Sequence, residues 1–320
     1  MKWTNQEVKI LKQYSTTAKT MSDIHNDLAA FGYDRTYKAV TRKIESMRLN
    51  KPFKKMNVVN LPKILILDIE TTPIAVWAWS LGKQYVGPMS IMKDKNNKSM
   101  DWYVLSWSAK WLYDDKVLSD VVTPKEARDR DDKRIIDSVW KLLDQADIVI
   151  AHNGDKFDLR KLKARFIANE MIPPMPYKTI DTLKVARKEF AFSSNKQDYI
   201  TKFLGLEEKL DTEFQLWLDC MNGDEKALER MERYNKTDVI GLEEMYLKLR
   251  PYIKNHPNIA VMMDENVCSV CGGDSLVETG KFYHTGASKY QIFYCEGCMS
   301  PHIRSKSNML QTNVNTRSSS

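Results

Sequence analysis

Apolar residues recur at helical spacing in three stretches near the start of the chain. Positions three and four apart are apolar in each stretch, which predicts three short helices within residues 3–49. Thr4 followed by Glu7 predicts a capping box at the first helix, and Gly32 falls just after the second. The basic segment 51–60 has no clear periodicity, and we interpret it as a linker.

Between residues 61 and 256 the pattern changes from short apolar runs to helical spacing. The run from Ile64 to Leu67 is continuous, as in a strand that is buried on both faces. Further strands are expected at 75–80, 102–112, 147–151 and 178–181. Helices are expected at 134–146, at 156–171 and over most of 182–252. Strands followed by alternating strands and helices predict an α/β domain whose mixed sheet is flanked by helices.

Paired cysteines distinguish the segment 264–306, which also contains short β-like runs. Two CxxC pairs, Cys268/Cys271 and Cys295/Cys298, have the spacing of a zinc ribbon, in which four sulfurs hold one structural Zn²⁺. A pair of redox motifs is the alternative, but two pairs at this separation favour a shared metal.

The charge of the chain is unevenly distributed. The first 60 residues hold 12 basic and 5 acidic side chains, an excess equal to the net charge of +7 of all 320 residues. A basic module beside a near-neutral body is typical of proteins that bind a polyanion. We therefore expect a nucleic-acid partner.

Hydropathy predicts no membrane association. No apolar run approaches the ~18 residues that a spanning helix needs, and the N-terminus lacks the apolar segment of a signal peptide. We expect a cytoplasmic location, and the Lys/Asn-rich composition with several compact modules suits a bacterial or phage-infected cell. The polar tail 307–320 is predicted to be disordered.

Acidic residues follow the buried strands at intervals that bring carboxylates together. Asp68 and Glu70 are two apart at the end of the first strand, so both side chains point to one face. Two close carboxylates at a strand end are costly unless a cation lies between them, and a divalent metal is the usual one. Tyr234 and Asp238 share one face of the last long helix, and Asp158 follows a second buried strand. The sequence therefore predicts a divalent-metal site.

These motifs resemble those of the DEDD superfamily of 3′–5′ exonucleases, which have a ribonuclease H-like fold. The three motifs of that superfamily match, in chain order, Asp68 with Glu70, Asn153 with Asp158, and Tyr234 with Asp238. Arg233 stands where the histidine subclass has its histidine, so the resemblance is to the tyrosine subclass, DEDDy. It implies a ribonuclease H-like exonuclease domain at 61–256.

The resemblance also implies hydrolysis of phosphodiester bonds by a two-metal-ion mechanism. The ligands of two Mg²⁺ or Mn²⁺ ions would be Asp68, Glu70, Asp158 and Asp238. Tyr234 would orient the attacking water, and Asn153 would contact the substrate. We expect DNA in preference to RNA. An RNA-processing exonuclease of the same fold and a non-catalytic DNA-binding regulator are the alternatives, and a proofreading role would need a replication or repair protein as partner.

Two neighbouring features leave alternatives open. Asp181 either supports the site or caps the helix that follows it. Trp77 and Trp79 share a face of the strand expected at 75–80. We interpret these two rings as core residues, with base stacking as the alternative.

The first 50 residues resemble Myb/SANT-like helix-turn-helix domains. The resemblance rests on Trp3 and Thr4, on Ile24, and on a basic third helical stretch. It implies that the third helix reads nucleic acid. The basic residues available to the groove or the phosphates would be Arg35, Lys38, Arg42 and Lys43. A three-helix protein-interaction domain is the alternative.

Overall fold

The computed structural model describes residues 3–14, 21–33, 35, 39–40, 43–44, 61–206, 212–263, 266–286 and 288–303. The chain divides into two compact units. One unit is Lys63–Tyr246, and the other is formed by Met1–Pro62 and Leu247–Ser320. The expected linker, 51–60, and the expected disordered tail, 307–320, lie outside the described residues.

Helices form near the N-terminus where the apolar spacing predicts them. The first two are α1 (Asn5–Tyr14) and α2 (Met21–Ala30). The third predicted helix is described only at residues 39–40 and 43–44, which are helical. The buried residues that pack together in this module are Leu11, Ile24, Leu28, Val40 and Ile44. All five belong to the apolar positions at helical spacing, so the sequence pattern identified the side of each helix that faces the core.

The predicted ends of these helices are confirmed. Thr4 Oγ1 accepts a hydrogen bond from Glu7 N at 3.2 Å, and Thr4 N donates to Glu7 Oε2 at 2.7 Å, which completes the capping box. Gly32 follows α2 with a φ of +80°, a conformation that glycine adopts without strain. Tyr33 N then donates to Leu28 O at 2.9 Å and closes the last turn.

A five-stranded mixed sheet forms the centre of the unit Lys63–Tyr246. Its strands are β1 (Ile64–Thr71), β2 (Val104–Trp111), β3 (Val117–Val121), β4 (Ile148–Ala151) and β5 (Lys178–Asp181). Their order is β3-β2-β1-β4-β5. β1 runs antiparallel to β2 and parallel to β4, and β4 runs parallel to β5. The carboxyl ends of β1, β4 and β5 therefore lie at the same edge of the sheet.

Helices of this unit pack against the sheet. They are α3 (Pro124–Asp129), α4 (Lys133–Leu143), α5 (Asp158–Ala168), α6 (Thr182–Glu189), α7 (Gln197–Phe203), α8 (Phe214–Met221) and α9 (Glu225–Leu249). The core contains buried residues of β1, β2, α4, α5, α8 and α9 in one cluster. Burying each large aliphatic side chain contributes about 1.5–3 kcal/mol, so this cluster holds the helices on the sheet.

Two strand assignments differ from the sequence-based expectation. The strand expected at 75–80 is wrong, because Val76 forms only an isolated bridge with Ile91 and the segment has no continuous partner among the described strands. The edge strand β3 was not expected. All five of its residues are half-buried, and an edge strand with polar positions gives no continuous apolar run to recognise.

The C-terminal segment contains a short helix, α10 (Ile259–Met263), and a separate sheet. The strands of that sheet are β6 (Leu276–His284), β7 (Lys289–Cys295) and β8 (Pro301–Ile303), in the order β6-β7-β8 with antiparallel pairing. The predicted β-like runs are thus confirmed, and β8 adds a third strand. Among the described helices, none is both long and apolar enough to cross a bilayer.

Candidate active site

Three carboxylates converge at the carboxyl end of β1. Asp68 and Glu70 leave the strand on one face, as their spacing of two predicts, and Asp238 reaches them from α9. One oxygen from each of these three side chains lies within 4.8 Å of the other two. Asp68 and Glu70 are half-buried, whereas Asp238 is buried. The structure therefore brings together residues that are 168 and 170 positions apart in the sequence.

Helix α9 is held against the sheet by polar contacts as well as by its apolar face. Lys110 of β2 forms a buried ion pair with Glu243, whose second oxygen accepts from Tyr113 N at 3.1 Å. Gln197 Nε2 donates to the backbone oxygen of Asp238 at 2.8 Å. Because these bonds lie beside and beyond the turn that carries Asp238, they fix where α9 presents this carboxylate.

Tyr234 lies one helical turn before Asp238 and lines the same cleft. Its ring packs edge-on against Trp217, with the ring centroids 6.3 Å apart. The side chain is largely buried, so the ring is held by packing. This confirms that Tyr234 and Asp238 share a face of the helix, as their spacing of four predicts.

Asn235 is a site residue that sequence reasoning missed. It is fully buried, and its Nδ2 donates to Asp68 Oδ2 at 2.5 Å. Its Oδ1 accepts from Ser106 Oγ at 3.3 Å. Asn235 thereby fixes the orientation of one carboxylate of the cluster. Its spacing of three from Asp238 was the available signal, because residues three apart also share a helix face.

The turn between β4 and α5 brings Asn153 and Asp158 into the cleft. Asn153 has a φ of +69°, a left-handed conformation that asparagine tolerates. Its backbone oxygen accepts from Phe157 N at 2.9 Å. A Cβ on Gly154 would overlap Ala151 Cβ, so the tight turn excludes a side chain there. The close approach sets the start of α5 and with it the position of Asp158.

Asp158 lies beside the cluster of three and is the most deeply buried acid of the cleft wall. Its Oδ1 accepts from Ile69 N, between the two acids of β1, at 3.1 Å. Burial raises the pKa of Asp158 to about 7, with a smaller contribution from the charge of Asp181 and an opposing one from the Ile69 N–H. The structure thus places Asp158 next to β1 but outside the group formed by Asp68, Glu70 and Asp238.

Asp181 satisfies both interpretations that its sequence position allows. Its Oδ1 caps α6 by accepting from Leu183 N at 3.0 Å and Lys184 N at 3.3 Å. The same oxygen accepts from Asn153 N at 3.0 Å, which ties the cap to the β4–α5 turn. Its Oδ2 is buried and has no hydrogen-bond partner among the described residues. Asp181 is therefore a helix cap that also supports the wall of the cleft.

The acids lie in an open cleft of about 600 Å³. Cationic and polar residues that the sequence interpretation did not select also line it, namely Arg187, Asn195, Lys196 and Gln197. These residues form what we name the second wall of the cleft. His152, which follows β4, holds this second wall because its Nε2 contacts Asn195 O at 2.9 Å. Asn195, Lys196 and Gln197 belong to the polar run SSNKQ at 193–197. That run shows polar residues in the sequence, but only tertiary packing places them in the cleft.

The donor set of the cleft fits divalent metal ions. Carboxylate oxygens are hard ligands, which Mg²⁺ and Mn²⁺ prefer. Three acids whose oxygens lie within 4.8 Å of one another repel when ionised, and a cation between them offsets that repulsion. The deep burial of Asp158 adds a desolvation cost that a bound cation would also reduce.

The structure gives Arg35 of the N-terminal module an intramolecular role. Its Nε donates to Glu7 Oε1 at 2.6 Å and its Nη2 to Glu7 Oε2 at 2.9 Å, and the guanidinium lies 4.7 Å from the Trp3 ring centroid. The pKa of Glu7 is lowered to about 2, and the hydrogen bond from Arg35 is the largest cause. Lys43 is half-buried, whereas Lys38 and Arg42 lie outside the described residues. Contact of these four with nucleic acid stays a prediction.

The two CxxC pairs form one buried cluster. Cys268 Sγ lies 3.6 Å from Cys298 Sγ, and Cys271 Sγ lies 3.6 Å from Cys295 Sγ. A tetrahedral site with Zn–S bonds of ~2.3 Å places its sulfurs about 3.8 Å apart, so the spacing fits zinc. His302 Nε2 lies 3.2 Å from Cys268 Sγ, a distance at which a ring N–H donates to a thiolate. The four sulfurs leave no open ligand position for chemistry.

One comparison with known proteins, a family model, supports the central fold. Residues 110–250 match a family model of the RNase_H superfamily. This match contains Asp158, Tyr234 and Asp238 but begins after β1. The chain is similar to the family B DNA polymerase from the hyperthermophilic archaeon Pyrobaculum calidifontis, with 14% identity and a TM-score of 0.41 over 64% of this chain. It spans only 27% of that polymerase. Comparison with curated proteins gives no match.

The family match and the order of the five strands support a ribonuclease H-like α/β fold, as the acidic motifs predicted. The four-cysteine cluster at the C-terminal end is also confirmed. The DEDDy and Myb/SANT-like resemblances stay predictions.

Proposed function

We propose that this protein is a metal-dependent 3′–5′ exonuclease that hydrolyses phosphodiester bonds in DNA. The observation that supports this most directly is the convergence of Asp68, Glu70 and Asp238 within 4.8 Å in an open cleft. Asp158 and Tyr234 lie on the wall of the same cleft. This is an arrangement of oxygen ligands around a space that a polymer end can reach.

In this proposal the carboxylates hold two Mg²⁺ or Mn²⁺ ions. The ligands are Asp68, Glu70, Asp158 and Asp238. When bound, such ions lower the pKa of water and stabilise the negative charge that develops on the phosphoryl group. Asn235 keeps Asp68 in the orientation needed for binding, and the β4–α5 turn keeps Asp158 against β1.

Tyr234 orients the attacking water in this scheme and does not remove its proton. A phenol with an ordinary pKa of ~10 is a poor base at neutral pH. Arg187 and Lys196 on the second wall would bind the phosphates of the strand, and Asn153 would contact the terminal nucleotide. The chain itself therefore supplies both the acids that bind metal and the cations that bind substrate.

The choice of 3′–5′ polarity rests on the DEDDy resemblance, and the choice of DNA rests on the Myb/SANT-like resemblance of the N-terminal module. That module, with the residues Lys38, Arg42 and Lys43, would add sequence-independent affinity for the phosphate backbone. One Zn²⁺ held by the four cysteines would stabilise the C-terminal sheet. An RNA-processing exonuclease and a non-catalytic DNA-binding regulator remain the competing functions.

End-labelled single- and double-stranded DNA and RNA, incubated with and without Mg²⁺ or Mn²⁺, test the proposal directly. Asp68→Asn and Asp238→Asn should each abolish metal-dependent release of nucleotides while nucleic-acid binding persists. Asp137→Asn is the matched control, because this exposed acid of α4 pairs with Lys141 on the surface. Full activity in both site variants would refute the metal site, and no degradation by the wild-type protein of any of the four substrates would favour the regulator.

A further inference from the structure

The segment 73–100, which we name the arm, connects β1 to β2 outside the sheet. Its root has defined hydrogen bonds: Met92 N donates to Ala75 O at 2.8 Å, and Trp77 N donates to Ser90 O at 2.8 Å. Met100 N donates to Met92 O at 2.7 Å. Backbone hydrogen bonds therefore hold the root of the arm together, and residues 78–89 extend beyond these bonds.

Large rings on the arm face solvent. Trp77 is 71% exposed, Tyr85 is 92% exposed, and Trp79 is essentially fully exposed. This corrects our interpretation of both tryptophans as core residues. Exposed apolar surface grouped in one segment is uncommon on a protein that has no ligand for it, and such a group marks an interaction site. The structural reason is that no sheet or helix among the described residues covers these rings.

The charge of the arm favours a polyanion as that ligand. The arm contains four lysines and one aspartate, an excess of three positive charges. Lys83 lies between the two tryptophans and Tyr85 in sequence, and the remaining lysines are Lys93, Lys95 and Lys98. A site for single-stranded nucleic acid has two components: aromatic rings that stack on the bases, and cations that contact the phosphates.

The root of the arm is continuous with the cleft. The arm begins two residues after Thr71, the last residue of β1, which also carries Glu70. Lys161 Nζ donates to Thr71 Oγ1 at 2.9 Å and lies 4.0 Å from the centroid of Trp102, which follows the arm. The same ammonium lies 5.0 Å from the ring centroid of Phe157, a residue of the cleft wall. Lys161 thus joins the cleft wall to residues that flank the arm on both sides.

We propose that the arm binds the unpaired bases of single-stranded nucleic acid and guides the end of that strand to the cleft. The proposal rests on the nuclease function proposed above and assigns its substrate as an unpaired strand. Stacking on Trp77, Trp79 and Tyr85 requires bases that have no partner strand, because the faces of paired bases are covered within a duplex. A protein partner docked on the same rings is the competing occupant.

Binding can be measured without catalysis, which separates this proposal from the nuclease proposal. The full chain carrying Asp238→Asn is titrated, without added Mg²⁺ or Mn²⁺, against a fluorescent oligothymidylate of about 12 nucleotides and against a duplex of equal length. Trp77→Ala and Trp79→Ala should each weaken single-strand binding by about tenfold or more, as expected for loss of one stacking ring. Duplex binding should stay unchanged.

Two variants act as controls. Trp79→Phe keeps a ring and should retain most of the affinity. Ile167→Ala removes a side chain that is 78% exposed on α5, outside the arm, and should bind like the parent. Single-strand affinity equal to that of the parent in both alanine variants would overturn the proposal and favour a protein partner. Equal weakening for both nucleic acids would also overturn it, because loss of stacking affects only unpaired bases. Unchanged thermal unfolding midpoints would show that the variants fold.

Discussion

Substitution of Asn235 by leucine tests whether the metal ligands depend on a buried positioning residue. Asn235 is fully buried, and its amide donates to Asp68 Oδ2 at 2.5 Å. Leucine has the same branching at Cγ but cannot donate, so the carboxylate loses the bond that fixes its orientation. Ser106 Oγ also loses the acceptor that it contacts at 3.3 Å.

The size of the effect follows from these two contacts. A hydrogen bond to a charged group contributes about 1.5–3 kcal/mol, and 1.4 kcal/mol corresponds to about tenfold in an equilibrium constant. The bond to Ser106 is long and should contribute less. We therefore expect the free energy of unfolding to fall by about 1–3 kcal/mol and the affinity for Mn²⁺ to fall by about 10- to 100-fold.

The assay is a Mn²⁺ titration of nucleotide release from an end-labelled oligonucleotide, with urea unfolding of the same preparations. Asn235→Leu should raise the Mn²⁺ concentration for half-maximal activity, with a smaller effect on the rate at saturating metal. Lys236→Met is the control, because this neighbour on α9 forms only a half-exposed ion pair with Glu232. The same Mn²⁺ dependence in Asn235→Leu and wild type would refute the assignment of Asn235 as a positioning residue.

Two further substitutions test the turn and the cysteine cluster. Gly154→Ala places a Cβ closer to Ala151 Cβ than van der Waals contact allows. It should lower the free energy of unfolding, measured in urea, by about 1–3 kcal/mol. Gly241→Ala is the control: its Cβ has its nearest contact at 3.7 Å, so the change should be neutral or stabilising. A Gly154→Ala variant as stable as wild type would contradict the tight turn. Atomic absorption should find one zinc per chain in the wild type. Cys271→Ser should lose that zinc, whereas Cys220→Ser, which lies outside the cluster, should retain it. Zinc retained in Cys271→Ser would argue against a four-sulfur site.

Much of the fold could be predicted because local patterns determine it. The capping box of Thr4 and Glu7 needs only three residues of spacing and the hydrogen-bonding groups of one helical turn. The continuous apolar runs of β1 and β4 identify strands that are buried on both faces. The edge strand β3 and the exposure of the tryptophans of the arm escaped prediction because partial burial and exposure depend on which neighbours cover a segment.

The candidate site shows the same division. The sequence brings Asp68 next to Glu70 and Tyr234 next to Asp238, because a strand repeats every two residues and a helix about every four. The sequence pattern treats Asp158 as equal to the other acids. The structure instead places it beside the group of three, buried and hydrogen-bonded to Ile69 N.

By itself, the sequence determined which acids and cysteines could act, the elements that hold most of them, and the basic charge of the N-terminal module. Only the tertiary structure decided that Asp238 meets β1, that Asn235 supports Asp68, and that the rings of the arm face solvent. The physical reason is the range of the interactions. Backbone periodicity acts over a few residues, whereas contacts across a cleft depend on how distant elements pack.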